Sequence, residues 1–93
     1  MALTRGTAGL FDYNRGVVLF SMISDHTEVP CAISTSALDD LEPVVRTKPE
    51  QREAQFIRLR DRIEACATRK YEKIEFEGNP PGIVLRSIDF RPT

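Results

Sequence analysis

Residues 47–74 of the chain, TKPEQREAQFIRLRDRIEACATRKYEKI, carry the longest helical pattern in the sequence. Thr47 and Glu50 form a capping box, and Pro49 occupies the first turn, where its missing N–H costs little. No Pro or Gly follows before the pattern ends near Lys73. Apolar residues recur every three or four positions along one face, at Phe56, Leu59, Ile63, Cys66, Ala67, Tyr71 and Ile74. The pattern predicts one long amphipathic helix.

Two strand patterns precede this helix. Residues 17–23 form an apolar run with β-branched and aromatic side chains on both faces, which is typical of an inner strand. Residues 24–27 are polar and of hairpin length, and residues 28–34 alternate between apolar and polar side chains. Pro30 has no N–H to donate, so the sequence predicts that the second strand lies at an edge of the sheet or carries a bulge.

The remaining elements are shorter. A capping box that begins at Ser36 predicts a two-turn helix over residues 36–42. Residues 78–82 are a loop of Gly, Asn and Pro, and residues 83–88 form a third strand pattern. Residues 73–77 alternate and fit either a fourth short strand or the end of the long helix.

These elements predict an α+β fold with the order β-β-α-α-β. The expected sheet is antiparallel and three-stranded with strand order 2-1-3, or four-stranded if residues 73–77 contribute a strand. The long helix would lie across one face, with the short helix beside it. Residues 1–10 are predicted to be a loose N-terminal tail, and residues 11–93 a single α+β domain.

Composition narrows the class of protein further. The chain has 93 residues, with 13 Lys and Arg against 14 Asp and Glu, a formal net charge of −1 and 41% hydrophobic residues, as in ordinary globular domains. No run approaches the ~18–20 apolar residues of a membrane span, and no secretory signal is visible, so we expect no membrane contact and a cytoplasmic location. Cys31 and Cys66 are then expected to be packed, reduced thiols.

No pattern for catalysis or metal binding stands out. The single histidine, His26, falls on the polar hairpin turn, and no serine or cysteine has a base at a recognisable spacing. Cys31, Cys66 and His26 lack the spacing of a structural zinc site, and no phosphate-binding glycine motif occurs. We therefore expect a non-enzymatic protein with no catalytic residue, no cofactor and no metal.

The charges of the long helix are sorted into two rows. At about 100° per residue, four cations fall on one outer side: Arg58, Arg62, Arg69 and Lys73. Five carboxylates fall on an adjacent sector: Glu50, Glu53, Asp61, Glu64 and Glu72. The cations are a candidate partner surface. The alternative interpretation is an ordinary solvated face held by Arg58–Asp61 and Arg69–Glu72 pairs.

The first strand suggests self-association. If the long helix covers one of its apolar faces, the other must be covered by the N-terminal segment or by a second copy of the chain. We take Val18, Phe20 and Met22 as the candidate dimer face, with Val17, Leu19 and Ile23 as the alternative face. A twofold homodimer is the simplest arrangement.

Residues 11–20, FDYNRGVVLF, resemble the opening of a small bacterial family catalogued as domain of unknown function 1488. Further similarity lies in the two helices and the closing strand: Ser36-Ala37-Leu38 with Leu41, Arg62-Ile63 with Ala67 and Tyr71, and Leu85 with Asp89-Phe90. The resemblance implies an α+β fold. It implies no activity, because the members of this family are uncharacterised.

The sequence therefore predicts a binding or regulatory accessory that docks a protein partner through its long charged helix. The alternative is a weak nucleic-acid or anion-binding regulator that uses the same cations. Nucleic acid is the less favoured ligand, because four cations flanked by carboxylates neutralise few phosphates and few aromatic residues lie among them.

Overall fold

The computed structural model describes residues 3–7, 9–43, 46–78 and 82–90. The strands there are β1 (Thr4–Arg5), β2 (Leu10–Asp12), β3 (Val17–Ser24), β4 (Thr27–Ser34) and β5 (Ile83–Leu85), and the helices are α1 (Thr35–Leu41) and α2 (Arg52–Glu72). A 3-10 turn precedes α2 at Pro49–Gln51, and another follows β5 at Ser87–Phe90. The predicted α+β class is confirmed.

The strands form one mixed sheet in which β4 lies between β3 and β5. Both β1 and β2 pair with the other edge of β3, the β3–β4 hairpin is antiparallel, and β5 runs parallel to β4. The predicted three-stranded antiparallel sheet of order 2-1-3 is therefore confirmed for the antiparallel β3–β4 hairpin, and it is wrong in the number of strands, in the central strand and in the direction of β5. Both helices lie between β4 and β5, and such a long crossover lets the chain enter β5 in the direction of β4.

Pro30 lies in β4, an inner strand, where an edge strand or a bulge was predicted. Its partner on β3 is Ser21, whose backbone N–H and C=O both bond to the N-terminal segment and not to β4. Gly6 N–H donates to Ser21 O (3.1 Å), and Ser21 N–H donates to Thr7 O (3.4 Å). Ser21 and Pro30 are therefore a non-hydrogen-bonded pair, and the Pro30 nitrogen points away from β3. Pairing with β5 begins one residue later, at Cys31, so the missing N–H removes no bond from either ladder.

The N-terminal segment forms two short edge strands where a loose tail over residues 1–10 was expected. Thr4–Arg5 and Leu10–Asp12 both pair with β3, and Leu3 is buried in the core. Strands of two and three residues are too short to show alternation, so the sequence carries no periodic signal for them. Residues 1, 2 and 8 lie outside the described residues.

The long helix is confirmed, with a different cap. The side chain of Gln51 accepts a hydrogen bond from the backbone N–H of Lys48 (3.1 Å), in place of the predicted box of Thr47 and Glu50. Pro49 stands at the start of the 3-10 turn, as expected from its missing donor. None of the helices in the described residues has the length and hydropathy to cross a membrane.

The structure also defines the short helix α1 and residues 73–77. α1 begins at Thr35, and its cap is Ser34, whose hydroxyl accepts a hydrogen bond from the Ala37 N–H (3.1 Å), not the predicted Ser36. Residues 73–77 form neither a strand nor more helix. The chain leaves α2 through a left-handed turn at Ile74 (φ 58°) and later forms an isolated bridge between Glu77 and Gly82.

α2 lies across one face of the sheet, which we call the inner face. Phe20 of β3 and Phe56 of α2 meet there with ring centroids 5.0 Å apart. The buried residues of α2 are Gln55, Phe56, Leu59, Ile63, Cys66, Ala67 and Lys70. The opposite face of the sheet, which we call the outer face, carries no helix of the described part of the chain.

Candidate functional site

The four predicted cations lie along one exposed line of α2. Arg58, Arg62 and Arg69 belong to the helix, and Lys73 is its C-cap residue. Their spacings of four, seven and four residues bring them to nearly the same angular position over about 22 Å of helix axis. All four residues are exposed. We call this line the basic stripe.

Arg58 is the member of the basic stripe that forms an ion pair within the protein. Its guanidinium donates two hydrogen bonds to the Glu42 carboxylate, at 3.0 and 3.2 Å, and so ties the C-terminal end of α1 to α2. These hydrogen bonds hold the pKa of Glu42 below its ordinary value. Arg58 thus pairs with Glu42 and not with Asp61, the neighbour expected of an ordinary solvated face.

The other three cations of the stripe make no ion pair within the described residues. Arg62, Arg69 and Lys73 differ in this from the cations of α2 outside the stripe, and the expected Arg69–Glu72 pair does not form there. Those other cations form the pairs Arg52–Asp39 (2.6 Å), Arg60–Glu64 (2.9 Å) and Lys70–Asp89 (3.2 Å). We call Arg62, Arg69 and Lys73 the unpaired stripe.

Three of the five carboxylates of the adjacent acidic row contact the N-terminal segment. Arg5 of β1 contacts both Asp61 and Glu64 at 2.8 Å. Glu53 accepts a hydrogen bond from the backbone N–H of Phe11 in β2 (3.1 Å). The sorting of charge on α2 therefore has a structural cause on its acidic side, whereas the unpaired stripe makes no ion pair within the described residues.

A small pocket lies at the C-terminal end of the stripe. It has a volume of about 230 Å³ and is lined by Cys66, Arg69, Lys70, Lys73, Glu75, Ile88 and Asp89. The Lys70 ammonium is satisfied there, since it donates to Val84 O (2.8 Å) and to the Asp89 carboxylate (3.2 Å). Arg69 and Lys73 are the remaining cations of the pocket, and Ile88 is its exposed apolar residue.

The predicted dimer face does not lie on the surface of the protein. Val18, Phe20 and Met22 are 0%, 5% and 2% exposed and belong to the core beneath α2. The two faces of β3 could not be told apart from the sequence because both are apolar. Nothing in the alternation indicated which one the helix covers.

The outer face carries an apolar row that crosses four strands. Leu10, Leu19, Ala32 and Val84 are successive partners across β2, β3, β4 and β5. Leu10 is 63% exposed, Leu19 and Val84 are half-buried, and Ala32 is buried. The N-terminal segment lies beside β3 as an edge and does not cover this row. Self-association stays a prediction, for the alternative face of Val17, Leu19 and Ile23.

The thiols and the histidine do not form a reactive group. Burial raises the pKa of Cys31 to about 12, and burial also raises the pKa of Cys66 despite the nearby Arg69 guanidinium. Both thiols are therefore protonated at neutral pH. His26 is exposed in the β3–β4 turn. No cluster of three potential metal ligands occurs in the described ranges.

The fold and the surface together define a small α+β domain with a mixed sheet, one covering helix and an exposed cationic line. The chain belongs to the family described as "Protein of unknown function (DUF1488)", whose model matches residues 9–83. The resemblance noted in residues 11–20 is therefore confirmed.

A solved relative has the same fold. The crystal structure of a DUF1488-family protein of unknown function from Shewanella loihica PV-4 superposes with a TM-score of 0.78, at 20% identity, over 91% of this chain and 93% of that one. No functionally curated protein matches the chain. The comparisons thus give the family and the fold.

Proposed function

We propose that this protein is a non-enzymatic binding accessory that docks an acidic segment of a protein partner on Arg62, Arg69 and Lys73. One observation carries the proposal. The other cations of α2 each contact a carboxylate, whereas these three do not within the described residues. Unpaired charge that projects from a rigid helix attracts and orients an oppositely charged partner.

Two observations support a role without catalysis. The thiols of Cys31 and Cys66 have raised pKa values, so neither is a ready nucleophile at neutral pH. The Ser21 hydroxyl, which is buried, is already engaged with Thr7 and Glu28. These side chains serve packing and strand pairing, and the charged helix is the better candidate for function.

A protein ligand suits the unpaired stripe better than nucleic acid does. Arg62 to Lys73 spans about 16 Å of helix, and three cations over that length release few counterions from a phosphate backbone. The exposed residue between Arg62 and Arg69 on the same line is Ala65, which offers no ring for base stacking. Weak binding of nucleic acid by the same cations remains the alternative function.

The test compares two triple charge reversals. Arg62→Glu/Arg69→Glu/Lys73→Glu removes the unpaired stripe, and Arg15→Glu/Arg46→Glu/Lys48→Glu makes the same change in net charge at other exposed positions. The probe is a peptide of about ten glutamates, titrated by calorimetry at low salt. We expect the stripe variant to bind at least about tenfold more weakly and the control variant to bind like wild type.

Two outcomes would contradict the proposal. Equal loss in both variants would show that net charge alone attracts the peptide. Retention of the wild-type protein on heparin and duplex DNA at about 50 mM salt, with loss in the stripe variant and no binding of the peptide, would establish the nucleic-acid alternative. Circular dichroism of both variants checks that the fold is intact.

A further inference from the structure

The helix terminus at Ile74 is built in a conformation that isoleucine disfavours. Ile74 N–H donates to Tyr71 O and Glu75 N–H donates to Lys70 O, both at 3.0 Å, which is the hydrogen-bond pattern of a Schellman motif. The motif requires a left-handed residue at position 74, where φ is 58°. Glycine or asparagine usually fills this position, and a β-branched residue there is strained.

Burial does not compensate for this strain. Ile74 is 75% exposed, so its side chain gains little from packing against its own chain. Strained residues that the surrounding structure maintains concentrate at functional sites. An exposed isoleucine in a position suited to glycine therefore indicates that its side chain serves a contact outside the protein.

The surroundings of Ile74 indicate what that contact is. Lys73 and Glu75, on either side of it in the chain, line the pocket of about 230 Å³ together with Ile88, which is 67% exposed. Arg69 lines the same pocket, and Ile74, although it is not a lining residue, is bonded to two residues that are, so the unpaired stripe ends close to two exposed apolar residues. The volume lies below the ~300–1,000 Å³ of small-molecule sites and suits a single side chain.

We propose that the partner segment is acidic and also carries one bulky apolar side chain, which contacts Ile74 and Ile88 while neighbouring carboxylates contact Arg69 and Lys73. This inference rests on the proposed function and specifies its ligand. Glu75 also lines the pocket, and its charge repels a further carboxylate there. Lys70 and Asp89, which also line the pocket, form an ion pair with each other, so neither charge is available to the partner.

The test uses two peptides of about twelve residues with the same glutamates, one carrying a central leucine and the other a serine there. Binding to the wild-type protein is measured by amide chemical-shift titration at low salt. We expect the leucine peptide to bind about tenfold more tightly, as burial of one large apolar side chain allows. The largest shifts are expected at residues 69–75 and at Ile88.

Two variants locate the apolar contact. Ile74→Gly should remove most of the advantage of the leucine peptide, leave the affinity of the serine peptide unchanged and raise the thermal midpoint, because glycine relieves the strained turn. Ile57→Ala removes another exposed isoleucine of α2, 51% exposed, and should leave the ratio of the two affinities unchanged.

The outcomes separate the two proposals. Failure of both peptides to bind the wild-type protein would overturn the proposed function and this inference with it. Equal affinity for both peptides, or an unchanged affinity ratio in Ile74→Gly, would overturn this inference and leave the proposed function standing. A lower thermal midpoint in Ile74→Gly would also overturn it, since Ile74 would then stabilise the protein itself.

Discussion

Gly82 shows at the residue scale how closely β4 and β5 approach each other. A Cβ atom at this position would collide with the Pro30 carbonyl oxygen and lie 3.0 Å from the proline Cγ. Gly82 directly precedes Ile83, the first residue of β5 to pair with β4. The parallel strand therefore begins where glycine permits the backbones to come together.

Gly82→Ala should destabilise the protein by about 2 kcal/mol or more, since the added methyl group must displace backbone. Urea denaturation measures the change. Pro30→Ala/Gly82→Ala is the control and should not recover the loss, because the collision is with a carbonyl that alanine retains. Recovery in the double variant would show that the proline ring is the obstacle.

The residue scale also shows where sequence analysis is least informative. Helical periodicity placed Ile74 on the apolar face of α2, whereas the residue lies beyond the helix and is 75% exposed. No glycine or asparagine marked the left-handed turn. The periodicity did place Arg58 correctly on one line with the other cations, but its partner, Glu42, is 16 residues away on another element. A single sequence gives positions on a helix better than it gives ion pairs between elements.

At the element scale, α2 protects both edges of the sheet as well as its inner face. The Lys70 ammonium donates to Val84 O in β5 (2.8 Å), and Arg60 donates to Gly6 O in the N-terminal segment (3.1 Å). Glu53 accepts from the Phe11 N–H in β2 on the same side (3.1 Å). Unpaired backbone groups at sheet edges invite pairing with other chains, and these side chains occupy three of them.

Lys70→Met should therefore cost about 3 kcal/mol, because it leaves the Asp89 carboxylate and Val84 O without their partner in a largely buried place. Asp89→Asn in the same chain should recover part of the loss, since an amide oxygen can still accept the Arg86 N–H bond. Denaturant midpoints measure both. Lys73→Met, one exposed position near the end of the same helix, should change stability little. An equal effect of the two lysine substitutions would argue against the edge contact.

The sequence predicted α2, β3 and β4 most fully, because each is long enough to show a helical period, an alternation or a continuous apolar run. It predicted β5 as a strand over residues 83–88, whereas β5 ends at Leu85 and a 3-10 turn follows at Ser87–Phe90. β1 and β2 are two and three residues long and were missed. The order of the sheet was also missed, because the direction of β5 depends on how α1 and α2 cross over, which no local pattern encodes.

At the scale of the whole molecule, the interactions that hold the fold and those proposed for function differ in their response to salt. The core is a continuous apolar cluster that joins the inner face of the sheet to α1 and α2. Several of the ion pairs involve exposed side chains, and such pairs contribute only about 0–1 kcal/mol each. The proposed docking on the unpaired stripe would instead depend on charges exposed to solvent, where screening is strong.

Raising the salt concentration from about 50 mM to about 500 mM should therefore separate binding from stability. The screening length falls to less than half over this range, so affinity for the polyglutamate peptide should drop by about tenfold or more. The thermal midpoint should change by only a few degrees, because apolar burial does not depend on screening. Calorimetric titration and thermal unfolding in the same buffers measure the two quantities. If the affinity and the thermal midpoint fell together, unfolding of the protein would explain the loss of binding. If the affinity did not change with salt, electrostatic docking on Arg62, Arg69 and Lys73 would be excluded.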